Sequence, residues 1–290
     1  MAGNNWGRWG ADDEAGALNL IGPAEVLAAA ALVRHGSIVV LGQPLGPRTA
    51  VPPHRKRVER FMTRDGGDYA AGARRPNGFQ FAEDVISFAS HTGTHVDALA
   101  HAWCADQLYN GFPGDSVRST TGAQRCSAAA LRPVVTRGVL LDIATLRGRP
   151  LAADEPVTAD DLQQAARLAG ASLRPGDAVL VRTGWLGEAG LDESRYFHSE
   201  PGIDEGAAQW LADCDVAVIG ADNYAVEVQP SAPGTSFPAH QLLIRDHGVP
   251  LIEGMRLDCL AGAADPFLFV AVPLPVEGGT AGPVCPIAIL

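Results

Sequence analysis

The stretch Ser90-His91-Thr92-Gly93-Thr94-His95-Val96-Asp97-Ala98-Leu99-Ala100-His101 places three of the chain's eight histidines within eleven residues, with an aspartate among them. It follows the apolar run DVISFAS, so the expectation is that these groups sit at the end of a rigid strand. Gly93 breaks any simple helix through His91 and His95, and a tight turn there lets both imidazoles converge. Asp97 lies two residues past His95, close enough to join the same set. Two neutral imidazoles and one carboxylate suit Zn²⁺, Mn²⁺ or Fe²⁺ and leave positions open for water and substrate. The competing reading is a group of hydrogen-bonded core histidines. An HxxxH alone would not decide between them, but three histidines with an intervening aspartate favour metal. The HExxH pattern fails, because Gly93 and Thr94 occupy the middle and no glutamate is present. His101 lies about one helical turn past Asp97, on an expected helix from Asp97 to Trp103. An imidazole beside a metal is placed either to ligate or to shuttle protons, and the second role is preferred.

Working outward, a second patch spans Phe237-Pro238-Ala239-His240-Gln241-Leu242-Leu243 and leads to Glu253. His240 is expected to open a helix, and Glu253 to end a short strand from Val249. Each is unremarkable alone. With the first cluster they offer a further imidazole and carboxylate, enough for a second ion or a five-ligand site. His247 reads as a turn residue.

The rest of the chain bounds the answer. It has 290 residues, 47% hydrophobic and 19% charged, so a sizeable core is available and global disorder is excluded. The net charge of -11 argues against nucleic-acid binding, which needs a basic face. The start MAGNNWGRWG has neither a basic nor an apolar leader region, and the apolar run near Leu27 to Val33 is too short to span a bilayer, so a cytoplasmic location is expected. Five scattered cysteines form no CxxC pair and read as reduced, mostly buried thiols. No GxGxxG or GxxxxGK[ST] follows a strand, and no GxSxG elbow is present.

One domain over 1–290 is expected, with an N-terminal arm of about 1–35. PAEVLAAAALVRHG reads as a helix with Pro23 at its first position and a stop at Gly36, and SIVVLG as a strand. Residues from about 45 to 80 are rich in Pro, Gly and Arg and read as a long loop, contributing to the pocket or to an oligomer. RGVLLDIAT, GDAVLVRTGW, DVAVIGAD and PFLFVAVPL read as strands. TADDLQQAARLAG, capped by Thr158, and IDEGAAQWLAD read as helices between them. The alternation predicts a mixed α/β protein. Arg60, Phe61, Met62, Trp103, Tyr109 and Asn223 are candidate substrate-binding residues, although each aromatic could equally be core and Arg60 a solvated loop residue. Asp222, Asn223 and Glu227 could line the pocket or cap turns.

The cluster resembles the cyclase superfamily, metal hydrolases that include kynurenine formamidase, isatin hydrolase and trans-dienelactone hydrolase. The family motif HxGTHxDxPxH stands in register from His91 to His101. Further stretches that resemble family blocks are the opening WGRWGADDEAGALNLI, then GADNYAVEVQP, HQLLIRDHGVPLIEGM and the ending PLPVEGGTAGPVCPIAIL. The resemblance implies a swivelling β/β/α domain, a β-barrel-like core with outer helices, assembled as a homodimer or homotetramer. It implies His91, His95 and Asp97 as ligands of one zinc or manganese ion, His240 and Glu253 as ligands of a second, and His101 as catalytic acid/base. Two departures bear on substrate: Leu99 stands where the motif has proline, and Ala102 where relatives often have phenylalanine. The expected chemistry is hydrolysis of an amide, formamide, lactam or lactone, the substrate being a small cyclic or aromatic molecule. The alternatives are a metal-assisted cyclase, dehydratase or isomerase, which adds no water to its product, and a non-catalytic metal-binding protein, which turns over nothing.

Overall fold

Short runs of β-branched and aliphatic residues build the centre of the molecule, as shown by a computed structural model that describes residues 3–190, 192–263 and 265–290. In chain order the elements that position the site begin with helix α1 (Pro23–Ala30) and strands β1 (Ile38–Val40), β2 (Glu59–Arg64), β3 (Glu83–Ser87), β4 (His95–Asp97) and β5 (Val134–Asp142). Helix α2 (Ala159–Leu168), β6 (Ala178–Arg182), α3 (Glu205–Asp213), β7 (Val218–Ala221) and β8 (Leu251–Glu253) follow. Strands β9 (Phe267–Ala271), β10 (Ala281–Pro283) and β11 (Ile287–Ile289) close the chain.

Nine strands form one curled sheet in the order β1-β11-β9-β5-β6-β7-β8-β4-β10. The run β5-β6-β7-β8 is parallel, and antiparallel pairings extend it on both sides. Strands β6 and β7 are buried on both faces, which explains their unbroken apolar sequences. Alternate residues serve different cores. Val139, Leu141, Val179 and Val181 pack with α2 and α3 through Leu162, Ala165, Ala207 and Leu211. Leu140, Leu180 and Val218 face the other way, onto Met255, Leu257 and Phe269. This is the expected mixed α/β architecture, a barrel-like strand core with outer helices.

Helix α2 begins as its sequence predicts: Thr158 Oγ1 accepts from the Asp161 N–H, and Asp161 Oδ2 accepts from the Thr158 N–H. Helix α3 starts on Asp204, whose carboxylate accepts from the Ala207 N–H. Helix α1 ends at Ala30, before the expected Gly36, and a turn replaces its last part.

Three further expectations change. The stretch 45–80 is not one loop: β2 pairs with β3 as an antiparallel hairpin, joined through a short helix, Gly66–Ala70, capped by Asp65. Both strands are largely exposed, so no core stamped a readable alternation on them. DVISFAS therefore belongs to an outlying hairpin, and the histidine cluster has its own strand, β4, inside the main sheet. No helix runs from Asp97 to Trp103; a turn closed by the His101 N–H on the Ala98 carbonyl takes its place. The cysteines are unpaired as expected, yet Cys126 is buried while Cys259 and Cys285 are exposed. Among the described residues, no helix is long and apolar enough to cross a membrane.

The N-terminal arm is tied to a distant segment. The Asn5 N–H donates to the Asp246 carbonyl, Trp6 Nε1 to the Arg245 carbonyl and the Ala17 N–H to the Gly248 carbonyl. At that crossing Gly16 and Gly248 both have positive φ, and a Cβ on Gly16 would lie 2.1 Å from the Gly248 oxygen.

Candidate metal centre

Strand β4 lies between β8 and β10, and its two-residue period sends His95 and Asp97 to one face and Val96 to the apolar core on the other. Glu253 faces His95 directly across the β4–β8 ladder. His91 comes from the turn before β4, where Gly93 takes φ +63°. His240 ends the short helix Pro238–His240, which continues as a π-helical turn, Gln241–Asp246.

These side chains converge. His91 Nδ1 lies 2.7 Å from Asp97 Oδ1 without the alignment of a hydrogen bond, and His95 Nε2 lies 3.2 Å from Glu253 Oε2 and 3.6 Å from Asp97 Oδ1. His101 Nε2 and His240 Nε2 stand 3.9 and 3.8 Å from Asp97 Oδ2. Potential donor atoms fall into two triplets sharing Asp97: His91, Asp97 and His101, and His95, Asp97 and Glu253. His240 approaches the second from 3.5 Å, through Glu253 Oε1.

Outer partners fix three of the imidazoles. His91 Nε2 is 3.0 Å from the Thr280 hydroxyl, and His95 Nδ1 is 3.0 Å from the Gly93 carbonyl. His240 Nδ1 is 2.5 Å from Glu227 Oε1, and the Glu227 carboxylate also accepts from the Ala239 and His240 N–H groups. A ring held by its outer nitrogen presents the inner one, the arrangement usual around metal-ligating histidine.

The inner atoms test the fit. His91 Nδ1, His95 Nε2 and both Asp97 oxygens are buried with no hydrogen-bond partner. One such atom costs about 1–3 kcal/mol, and a cluster of them calls for a common partner. Nitrogen and carboxylate donors this close fit a divalent cation.

Charge in the cluster is strongly coupled. Burial opposes ionisation of Asp97, but His101, His91 and His95 together hold its carboxyl well below the usual carboxylate range. Burial, with His91 and His240 nearby, lowers His101 to about 4 against the pull of Asp97. Burial also works against a charge on His240, yet Glu227 and Glu253 raise it to about 10.

A cleft of ≈ 590 Å³ opens onto His101, His240 and Glu253, walled by Arg55, Trp103, Tyr224 and Phe237. Of the expected pocket residues only Trp103 is on this wall. Arg60, Phe61 and Met62 lie on β2, in the exposed hairpin, and do not line the cleft. Tyr109 is fully buried, and its hydroxyl donates to Asp13. Asn223 braces a turn, donating from Nδ2 to the Pro201 carbonyl and accepting the Val226 N–H. Asp222 is likewise internal, accepting from Thr183 and Gly184. Glu227 is the one of that trio that reaches the centre. Arg55 reads in sequence, with Lys56, Arg57 and Arg60, as part of a basic stretch weighed as a solvated loop against substrate-anion binding, while Tyr224 and Phe237 carry only faint signals, an aromatic beside a turn and one three residues before a histidine.

Comparison with known proteins identifies relatives of the fold and of the sequence. Residues 21–228 match a family model described as putative cyclase. The isatin hydrolase of Roseibium aggregatum is 26% identical over 257 residues, covering 85% of this chain and 89% of that protein. A crystal structure described as a novel cyclase superposes with a TM-score of 0.92 at 33% identity, over 99% of this chain and 97% of the other. Isatin hydrolase A from Ralstonia solanacearum, 22% identical, shares the fold with a TM-score of 0.67 over 92% of this chain and 97% of its own.

Proposed function

The chain belongs to the putative cyclase family, and on that premise we propose that it is a metal-dependent hydrolase of a carbonyl compound: an amide, formamide, lactam or lactone. The carrying observation is the set of four buried, unpartnered atoms on His91, His95 and Asp97, packed against His101, His240 and Glu253, which line an open cleft. A divalent cation held there, zinc or manganese as the family resemblance implies, would supply Lewis acidity and lower the pKa of water toward neutrality. His91, His95, Asp97 and Glu253 hold it, and His240, oriented by Glu227, completes the set. The similarity to an isatin hydrolase supports lactam or related ring substrates.

His101 lines the cleft and touches the edge of the ligand cluster. Its lowered pKa keeps the imidazole neutral near pH 7, the form with a free ring nitrogen. His101 Nε2 accepts the proton of the attacking water and returns it to the departing nitrogen or oxygen. Trp103, Tyr224 and Phe237 shield the reacting carbonyl from bulk solvent.

Elemental analysis of the purified protein, followed by a panel of aryl formamides, lactams and lactones, tests this reading. At least one class should turn over in a metal-dependent way, a ring opening to a product heavier by one water or a formamide splitting into amine and formate whose combined mass exceeds the substrate's by one water. A metal-free preparation of undiminished activity, or a product without added water, defeats it.

A further inference from the structure

Three consecutive basic residues, Arg55, Lys56 and Arg57, meet different fates. Lys56 pairs with Glu59 and Arg57 with Glu193, both on the surface. Arg55 is half-buried on the cleft wall and has no carboxylate partner among the described residues. It is nevertheless held in place. One guanidinium nitrogen donates to the His91 carbonyl at 2.5 Å, and the guanidinium lies 5.1 Å from the centre of the Tyr224 ring. A guanidinium has five N–H donors in a planar fork, so this anchoring leaves donors for a ligand. A half-buried cation without a counter-ion, in a chain of net charge -11, is costly unless something in the cleft answers it.

The opposite requirement appears beside it. Trp103 and Phe237 are 41% and 38% exposed, and both line the same cleft. Phe237 adopts φ +48°, a left-handed conformation rare for a bulky residue, with its ring edge against His240 at 5.2 Å between centroids. Backbone strain that turns an aromatic residue into a cleft marks a ligand-facing position.

We propose that Arg55 is the anchor for a carboxylate carried by a planar ring substrate, with Trp103 and Phe237 receiving the ring. The inference rests on the hydrolase reading for its reaction, but not for its binding chemistry. Arg55 is a specificity residue: it forks onto the carboxylate while the ring's carbonyl is presented to the ligand cluster.

The test uses metal-loaded protein and two probes of matched shape, benzoate and benzamide, titrated by calorimetry into the wild type, Arg55→Met and Arg55→Lys. Whatever affinity benzoate owes to the ion is common to all three proteins and cancels when the benzoate-to-benzamide ratio is compared between them. Arg55→Met should lower that ratio about tenfold or more while benzamide affinity holds, and Arg55→Lys should recover part of it. Metal content, measured in parallel, should not change. An unchanged ratio, an equal loss for both probes, or a wild type that binds neither probe overturns the proposal. If the ratio falls as expected but no carbonyl compound is hydrolysed, the anchor stands and the assigned reaction fails.

Discussion

Glu253 and His95 face each other as direct partners in the antiparallel ladder of β8 and β4, their side-chain atoms 3.2 Å apart. The ladder therefore sets the spacing of two groups of the centre drawn from positions far apart in the chain, and Asp97, two residues along β4, lies on the same face. Three of the donors, His95, Asp97 and Glu253, stand on paired strands, which fixes their separations.

Asp97 belongs to both donor triplets, so its loss should be felt by the whole centre. Asp97→Asn should weaken metal affinity by more than about 100-fold, beyond the usual effect of an outer partner, and abolish turnover. Chelator competition and elemental analysis measure the first. Full metal loading of this variant would remove Asp97 from the ligand set.

Thr280 touches no ion directly and orients His91 through its hydroxyl. Thr280→Val keeps the shape and removes that bond, so metal affinity should fall about 10–100-fold with little change in fold. Unaltered affinity would mean that His91 is held by other contacts.

His101→Asn separates the roles open to that residue. Turnover should drop about 10²–10⁴-fold with metal content retained. Loss of metal would instead make His101 a ligand of the triplet with His91 and Asp97. The same residue gives the metal-free protein a pH signature. Its folded pKa of about 4 lies below the ordinary 6.5, so between these values the unfolded chain binds more protons. The contribution of His101 to stability is thus present above pH 6.5 and is lost as pH falls toward 4. Denaturant titrations across that window should show a shallower decline in His101→Asn than in the wild type, and parallel curves would contradict the shift.

Gly254 follows Glu253 at φ +62°, and an added Cβ would sit 2.8 Å from the Gly93 carbonyl, the acceptor beside His95 Nδ1. Gly93 has φ +63°, but its Cβ would meet nothing nearer than the Thr49 methyl at 3.4 Å. Each alanine carries about 1–2 kcal/mol for the left-handed backbone. Gly254→Ala should cost more than Gly93→Ala in urea titrations and should also weaken metal binding by displacing His95. Equal costs would show that the Gly93 carbonyl yields freely.

The parts of the molecule legible in sequence are those where a local rule acts alone. The unbroken apolar runs of β6 and β7 reflect burial on both faces, and Thr158 and Asp204 start helices by the same capping chemistry wherever they occur. The spacing of His91, His95 and Asp97 was legible because a turn and a two-residue period suffice to bring them together. Arg60, Phe61 and Met62 were misplaced because nothing local tells an exposed hairpin from a loop folded over a cleft. Arg55 is only five to seven residues before them, yet its role depends on contacts with His91 and Tyr224, which only the tertiary fold provides. The link between Glu227 and His240 spans thirteen residues across a turn and leaves no periodic trace.

The crossing of Gly16 with Gly248 has a mechanical consequence. The opening residues act as a clasp on the segment that lies between His240 and Glu253, so two donors of the centre are steadied from the far end of the polypeptide. A side chain at either glycine would prise the clasp open, and the damage would register in how firmly the cation is gripped, some distance from the altered position.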